Sequence, residues 1–152
     1  MIMKKILILF ILIVVAGQLS AQTPVESVVM EYQDASGSRK FIAQGMRMSL
    51  ARSLLKSTPV GPIANHVDKL YILKMEGTPQ SVCHAFVTDL DKALESYEYY
   101  GKQPSSNGEV SVYVHYSAQE TIDELVIYNP AIYSLNCFYG RFTPQQLRAL
   151  AK

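Results

Sequence analysis

The side chains through which this 152-residue chain could do chemistry are two cysteines, three histidines and two neighbouring acid pairs. Cys83 falls in the first turns of a predicted helix, where the positive end of the helix dipole favours a thiolate. With Cys137 it could form a redox pair, or act alone as a nucleophile. His84 is adjacent, but successive helical residues point about 100° apart, so it is badly placed as a base. The spacing is not Cys-x-x-Cys. Each cysteine also shares an apolar stripe, Cys83 with Phe86 and Leu90, Cys137 with Leu135. That pattern favours two buried thiols, and a structural disulfide between them is the other outcome. His66, His84 and His115 fall on a predicted loop, helix and strand without metal-ligand spacing, so no metal and no cofactor is expected. A general acid–base pair needs one desolvated carboxyl. Asp89/Asp91 lie on a polar helix face with Lys92 and Glu95, and Asp123/Glu124 lie at a hairpin entrance; both pairs read as surface carboxylates. No Gly-x-Ser-x-Gly, phosphate-binding glycine loop or His-Glu-x-x-His occurs. The balance leans away from an enzyme, with thiol chemistry at Cys83 as the enzymatic alternative.

The tyrosines are the more suggestive set. There are 10, with no tryptophan. Tyr97, Tyr99 and Tyr100 crowd the predicted end of one helix. Tyr113, Tyr128, Tyr133 and Tyr139 are spread over three consecutive predicted strands. Outward tyrosines on adjacent strands make an aromatic patch suited to a protein partner or a carbohydrate. Tyr113 and Tyr128, with His115 alternating on the side of Tyr113, are the candidate binding residues. The same rings could instead line the edge of the core. Register decides between the two, because a slip of one residue reverses every side chain.

These residues must be positioned by elements that the chain punctuates clearly. Thr23, Pro24 and Glu26 start a short helix over 25–32, with a capping hydroxyl, proline at the first position and an early acid. A turn at 35–38 precedes a short strand over 39–43. The spacing predicts a helix over 45–56, with Met46, Leu50 and Leu54 inward and Arg47, Arg52 and Lys56 on the other side. A loop with Pro59, Gly61 and Pro62 leads to a strand over 69–75, apolar on both faces. Thr78-Pro79 opens the longest predicted helix, running to Tyr100, with Cys83, Phe86, Val87, Leu90, Leu94 and Tyr97 on its buried stripe. A polar turn over 103–108 precedes strands over 110–116, 124–128 and 132–139. Thr143-Pro144-Gln145-Gln146 is a capping box for a terminal helix. The sum is an α+β two-layer sandwich, a mainly antiparallel sheet with helices packed on one face; a ferredoxin-like split arrangement is the alternative.

The first residues read as an address. Lys4 and Lys5 precede the apolar run Ile6–Ala16, and small residues follow to Ala21, the plan of a secretory signal peptide. The run falls short of the roughly 18 residues that suggest a membrane span. Expected organisation is a signal peptide over 1–21, cleaved after Ala21, and one α+β domain over 22–152. Removing Lys4 and Lys5 leaves 14 − 2 = 12 basic against 13 acidic residues, a formal charge of −1. A near-neutral domain exerts no long-range pull on phosphates, which argues against nucleic acid as a partner. No basic amphipathic helix points to a membrane surface, and no stable span is expected after cleavage.

The order of several short motifs resembles a small exported family of Bacteroidetes, domain of unknown function 4252. They are Val25–Tyr32, Gly37, Phe41-Ile42-Ala43 with Gly45-Met46, and Val67–Leu73. Glu124–Ile127 and Leu135…Gly140-Arg141-Phe142…Leu147 complete the series. The resemblance covers nearly all of the chain after Ala21, and departs at Ser57–Asn65, proline-rich here where many members are acidic. It implies a periplasmic or otherwise exported protein of the cell envelope and brings no catalytic residues. Three functions follow as expectations: a non-catalytic binding module for an envelope protein or glycan, a thiol-dependent or redox enzyme using Cys83, or a self-associating structural component of the envelope.

Overall fold

A computed structural model describes residues 22–151. The expected signal peptide, Met1–Ala21, lies outside the described residues. The chain runs α1 (Pro24–Tyr32), β1 (Arg39–Gln44), α2 (Met46–Leu55), a 3-10 turn (Gly61–His66), β2 (Val67–Lys74), α3 (Gln80–Leu94), β3 (Glu98–Ser105), β4 (Gly108–Ala118), β5 (Thr121–Asn129), β6 (Ser134–Phe142) and α4 (Pro144–Arg148). All six strands join one antiparallel sheet in the order β1-β2-β6-β5-β4-β3. The fold is the expected α+β sandwich on an antiparallel sheet, but helices pack on both of its faces rather than on one, because the central strands are apolar on both sides. Strands β3 to β6 form a meander, and β6 closes it onto the β1–β2 pair, with no parallel split βαβ unit among the described residues.

Strand alternation sends side chains to two different cores. On the first face, α1 and α3 lie over β2, β6 and β5. Val25, Val28 and Val29 meet Cys83, Phe86, Leu90 and Leu94 above Leu73, Val126, Leu135 and Cys137. Tyr32 and Tyr128 both set their rings edge-on to Phe86, at centroid distances of 5.5 and 6.5 Å. The second face carries a smaller cover. Met48 and Ala51 of α2, Ile63 and Ala64 of the 3-10 turn, and Leu147 of α4 close over Leu70, Leu125, Phe138 and Phe142.

The structure corrects two elements. The helix expected to reach Tyr100 ends at Leu94, and Glu98–Ser105 is a strand paired with β4. Tyr99 and Tyr100 are therefore strand residues, while Tyr97 lies in the connection. Aromatic residues suit a pleated surface, and Gly101, at φ 125°, takes the bulge in that pairing. The α2 stripe also faces the other way. Met46, Leu50 and Leu54 are 89, 74 and 72% exposed, while the helix is seated on Met48 and Ala51.

One glycine sets how closely the second face can close. Gly140 of β6 lies against the backbone of His66 at the end of the 3-10 turn, and a Cβ there would run into the His66 carbonyl oxygen. Gly140→Ala is expected to lower unfolding free energy by about 2 kcal/mol through that collision. Urea denaturation checks this; a loss within experimental error would mean that the turn is not pressed onto β6 as described.

Candidate functional site

The most concentrated polar chemistry is a buried cluster between α1 and the sheet. Its centre is Glu124, in the middle of β5 and fully buried. The expectation of a surface carboxylate fails here. A bulge in the β5–β6 pairing lies between Ile122 and Glu124, and the latter points under α1. Thr23, the N-cap of α1, donates its hydroxyl hydrogen to Glu124 Oε2 at 2.8 Å and accepts from the Glu26 amide at 3.2 Å. The Tyr97 hydroxyl donates to Glu124 Oε1 and accepts from the Val25 amide at 3.2 Å. Two otherwise unpaired amides of the first helical turn thus reach a carboxylate through two hydroxyls. That is the charge a helix N-terminus favours.

Burial nonetheless raises the Glu124 pKa above its ordinary value, against the hydroxyls and His115 that lower it. Burial and the neighbouring carboxylate push the Tyr97 hydroxyl strongly up. The buried Tyr139 hydroxyl lies beside the same carboxylate, yet makes no hydrogen bond among the described residues. On one flank, Glu26 Oε1 pairs with Lys69 Nζ at 2.7 Å, and the ammonium stands 5.0 and 4.6 Å from the ring centres of Tyr71 and Tyr139. On the other, His115 Nδ1 lies 2.7 Å from Asp123 Oδ1, its ring 5.0 Å from that of Tyr97.

A carboxyl of raised pKa beside tyrosines and a His–Asp pair resembles acid–base machinery. It lacks access. Glu124 is sealed, and Tyr97 and Tyr139 are each 8% exposed. What the arrangement does is tie the start of α1 to the centre of the sheet.

The candidate aromatic patch is not an outward one. Tyr113, His115 and Tyr128 all face the helix-covered side. Tyr128 is 6% exposed against Phe86, Tyr113 is half-buried against Tyr99 at 5.3 Å, and His115 is held by Asp123. Alternation along β4 is as the sequence predicts, but α3 covers the tyrosine side. Tyr128 and Tyr133 border a shallow recess of about 550 Å³ beside α3. The Tyr128 hydroxyl is buried and makes no hydrogen bond among the described residues, and burial pushes its pKa up to about 12.

Cys83 and Cys137 are both free and buried, so the disulfide is not formed. Cys83 donates to the Met75 carbonyl at 3.1 Å and lies 3.0 Å from the Thr78 hydroxyl. Burial raises the Cys137 pKa well above its usual value. Neither thiol has the exposed, electropositive setting of a reactive one. Among the described residues no set of three metal-ligating side chains converges, and no helix is long and apolar enough to cross a membrane.

Besides the shallow recess at Tyr133, open concavity lies on the second face, where sequence reasoning placed no site. Two adjoining recesses of about 360 and 400 Å³ share Pro59, Val60, Gln103 and Ile127. The first has an apolar floor of Val112, Leu125 and Ile127, walled by Leu147, Leu150 and Tyr100, with Lys102 and Arg148 among its lining. The second runs past Ile72 and Phe138 to Asn107, Asn129 and Asn136. The α2–β2 connection forms one wall and β3 the other. No signal short of the strand pairing reveals this groove, because β3 does not read as a strand.

In comparisons with known proteins, no family model matches the chain, and no match is found among curated proteins or solved structures.

The Glu124 cluster makes a pH-dependent statement. A folded-state pKa raised above the unfolded value of about 4.5 means that the native chain holds this proton more tightly. Its contribution to stability is complete below that pH and is lost as pH rises through the folded pKa. In Glu124→Gln that loss disappears. Urea unfolding from pH 4 to 8 should show wild type losing stability relative to the variant as pH rises; parallel profiles would contradict the assignment.

Proposed function

We propose that this chain is an exported, non-catalytic binding module of the cell envelope. On this reading it is a divergent relative of domain of unknown function 4252, and it holds a segment of a partner envelope protein in the groove of the second sheet face. The observation that carries the reading is the groove itself: a concave apolar floor with amide side chains along one end, on the face that α1 and α3 leave free. Apolar concavities with a few polar groups are where binding sites concentrate. Partner side chains would enter over Val112 and Ile127, and the accessible amides of Asn107 and Asn136 supply donors and acceptors for a peptide backbone, while Asn129 is buried and holds the Asn107 carbonyl and the Ala131 amide.

A glycan fits less well. Stacking needs several exposed rings, and along the groove Tyr100, 38% exposed, is the single accessible one among the described residues, Phe138 and the candidate Tyr128 being buried. Catalysis by Cys83 would need the thiol to leave its bonds to Met75 and Thr78 and emerge from the core. Export is supported by the Lys4–Ala21 pattern, and the near-neutral charge of the remainder supports a partner other than nucleic acid.

A photo-crosslinking residue placed at Val112, with the protein expressed in intact cells, tests the reading. The expected product is a crosslink to a polypeptide, mapped by mass spectrometry to an extended apolar segment, and absent when the residue is placed at Thr88 on α3. Identical products at both positions, or none at Val112 in a stably folded protein, would overturn it.

A further inference from the structure

Helix α2 presents to solvent the stripe that amphipathic helices usually bury. Met46, Leu50 and Leu54 recur every four residues and are at least 72% exposed, and Phe41 of β1 adds a ring 45% exposed. Phe41 lies on the α2 side of the sheet, since it alternates in phase with Ala43 of the second core. The charge around this ridge is one-sided. Between Asp34 and Asp68 the chain carries Arg39, Lys40, Arg47, Arg52 and Lys56, and no acid. The 12 basic and 13 acidic residues that follow Ala21 therefore divide into +5 for residues 35–67 and 7 − 13 = −6 for the rest. Lys40 is paired with Asp34, and Arg52 lies 3.8 Å from Asp68. Arg39, Arg47 and Lys56 have no acidic partner among the described residues.

We propose that α2, with the β1 edge beside it, is a peripheral docking surface for an anionic lipid bilayer. Its apolar ridge sinks into the headgroup boundary and its cations lie over lipid phosphates. The sequence points to no such helix, because it predicts this stripe inward; exposed, with unpaired cations beside it and no acid, it has the character of an interfacial helix, and cations beside an anionic leaflet add to its binding. A ten-residue helix spans about 15 Å, enough to lie flat and far too short to span. A symmetric contact with a second copy would set the same three unpaired cations, Arg39, Arg47 and Lys56, of each against one another. The inference is independent of the groove.

The test reads the helix itself, because the apolar segment at the start of the chain could bind lipid by its own route. In the full chain, Leu50→Cys is labelled with a polarity-sensitive fluorophore, Cys83 and Cys137 being buried; Thr88→Cys on α3 is the control. Phosphatidylglycerol vesicles should shift the Leu50 label to the blue, vesicles of phosphatidylcholine alone should not, and the Thr88 label should respond to neither. High salt should reverse the shift. Arg47→Gln with Lys56→Gln should weaken vesicle binding by roughly 25-fold, about fivefold per cation. No shift on anionic vesicles would overturn the proposal. So would an equal shift on both lipids, or a shift in lipid-free buffer that grows with protein concentration, which would assign the ridge to a second copy.

Discussion

One buried carboxylate coordinates this fold. Glu124 sits under the first turn of α1 and takes hydrogen bonds from two hydroxyls, each of which accepts an amide from that turn. An isolated carboxylate in such a place would be strongly disfavoured. Here it gains donors and the positive end of a helix, while burial still raises its proton affinity. The consequence is positional. With its N-terminus fixed to β5, α1 lies along α3, and the two helices close the first face over Phe86, Leu90 and Leu135. The polar groups with the most suggestive chemistry are thus spent on sealing a core.

The second face follows from what remains. Strands β2, β5 and β6 are apolar on both sides, so both sides need cover. Only short elements are left to supply it, and they gather at one end. Gly140 lets the 3-10 turn press close to β6. Leu147 and Phe142 close the corner. Beyond them, Val112 and Ile127 stay half-exposed between β3 and the Pro59 wall, and the groove results. Helix α2 needs only Met48 and Ala51 to seat itself, which frees its larger side chains to point outward.

Much of this architecture was legible in the residues. Thr23-Pro24 and Thr143-Pro144 mark helix starts that form with the expected side-chain caps. The period of Cys83, Phe86, Leu90 and Leu94 gives the correct buried face of α3. Alternation in β4 separates Val112 and Val114 from Tyr113 and His115 correctly. Which side is covered was not legible, since both are partly apolar and the choice belongs to α1 and α3. β3 was hidden because its residues are almost all exposed and its alternation is broken by a bulge at Gly101. The α2 stripe misled because a 3.6-residue period reports amphipathicity, not which face meets the sheet. Glu124 was hidden because its partners, Thr23 and Tyr97, are 101 and 27 residues away.

One face of the sheet is closely covered by α1 and α3, and the other keeps an apolar groove. Methyl-resolved NMR, with an apolar probe such as xenon titrated into the folded protein, tests that division most directly. The methyl signals of Val60, Val112 and Ile127 should move with increasing probe, while those of Val25, Leu73 and Leu90 stay fixed. Shifts confined to the α1–α3 face, or spread evenly over both, would contradict it.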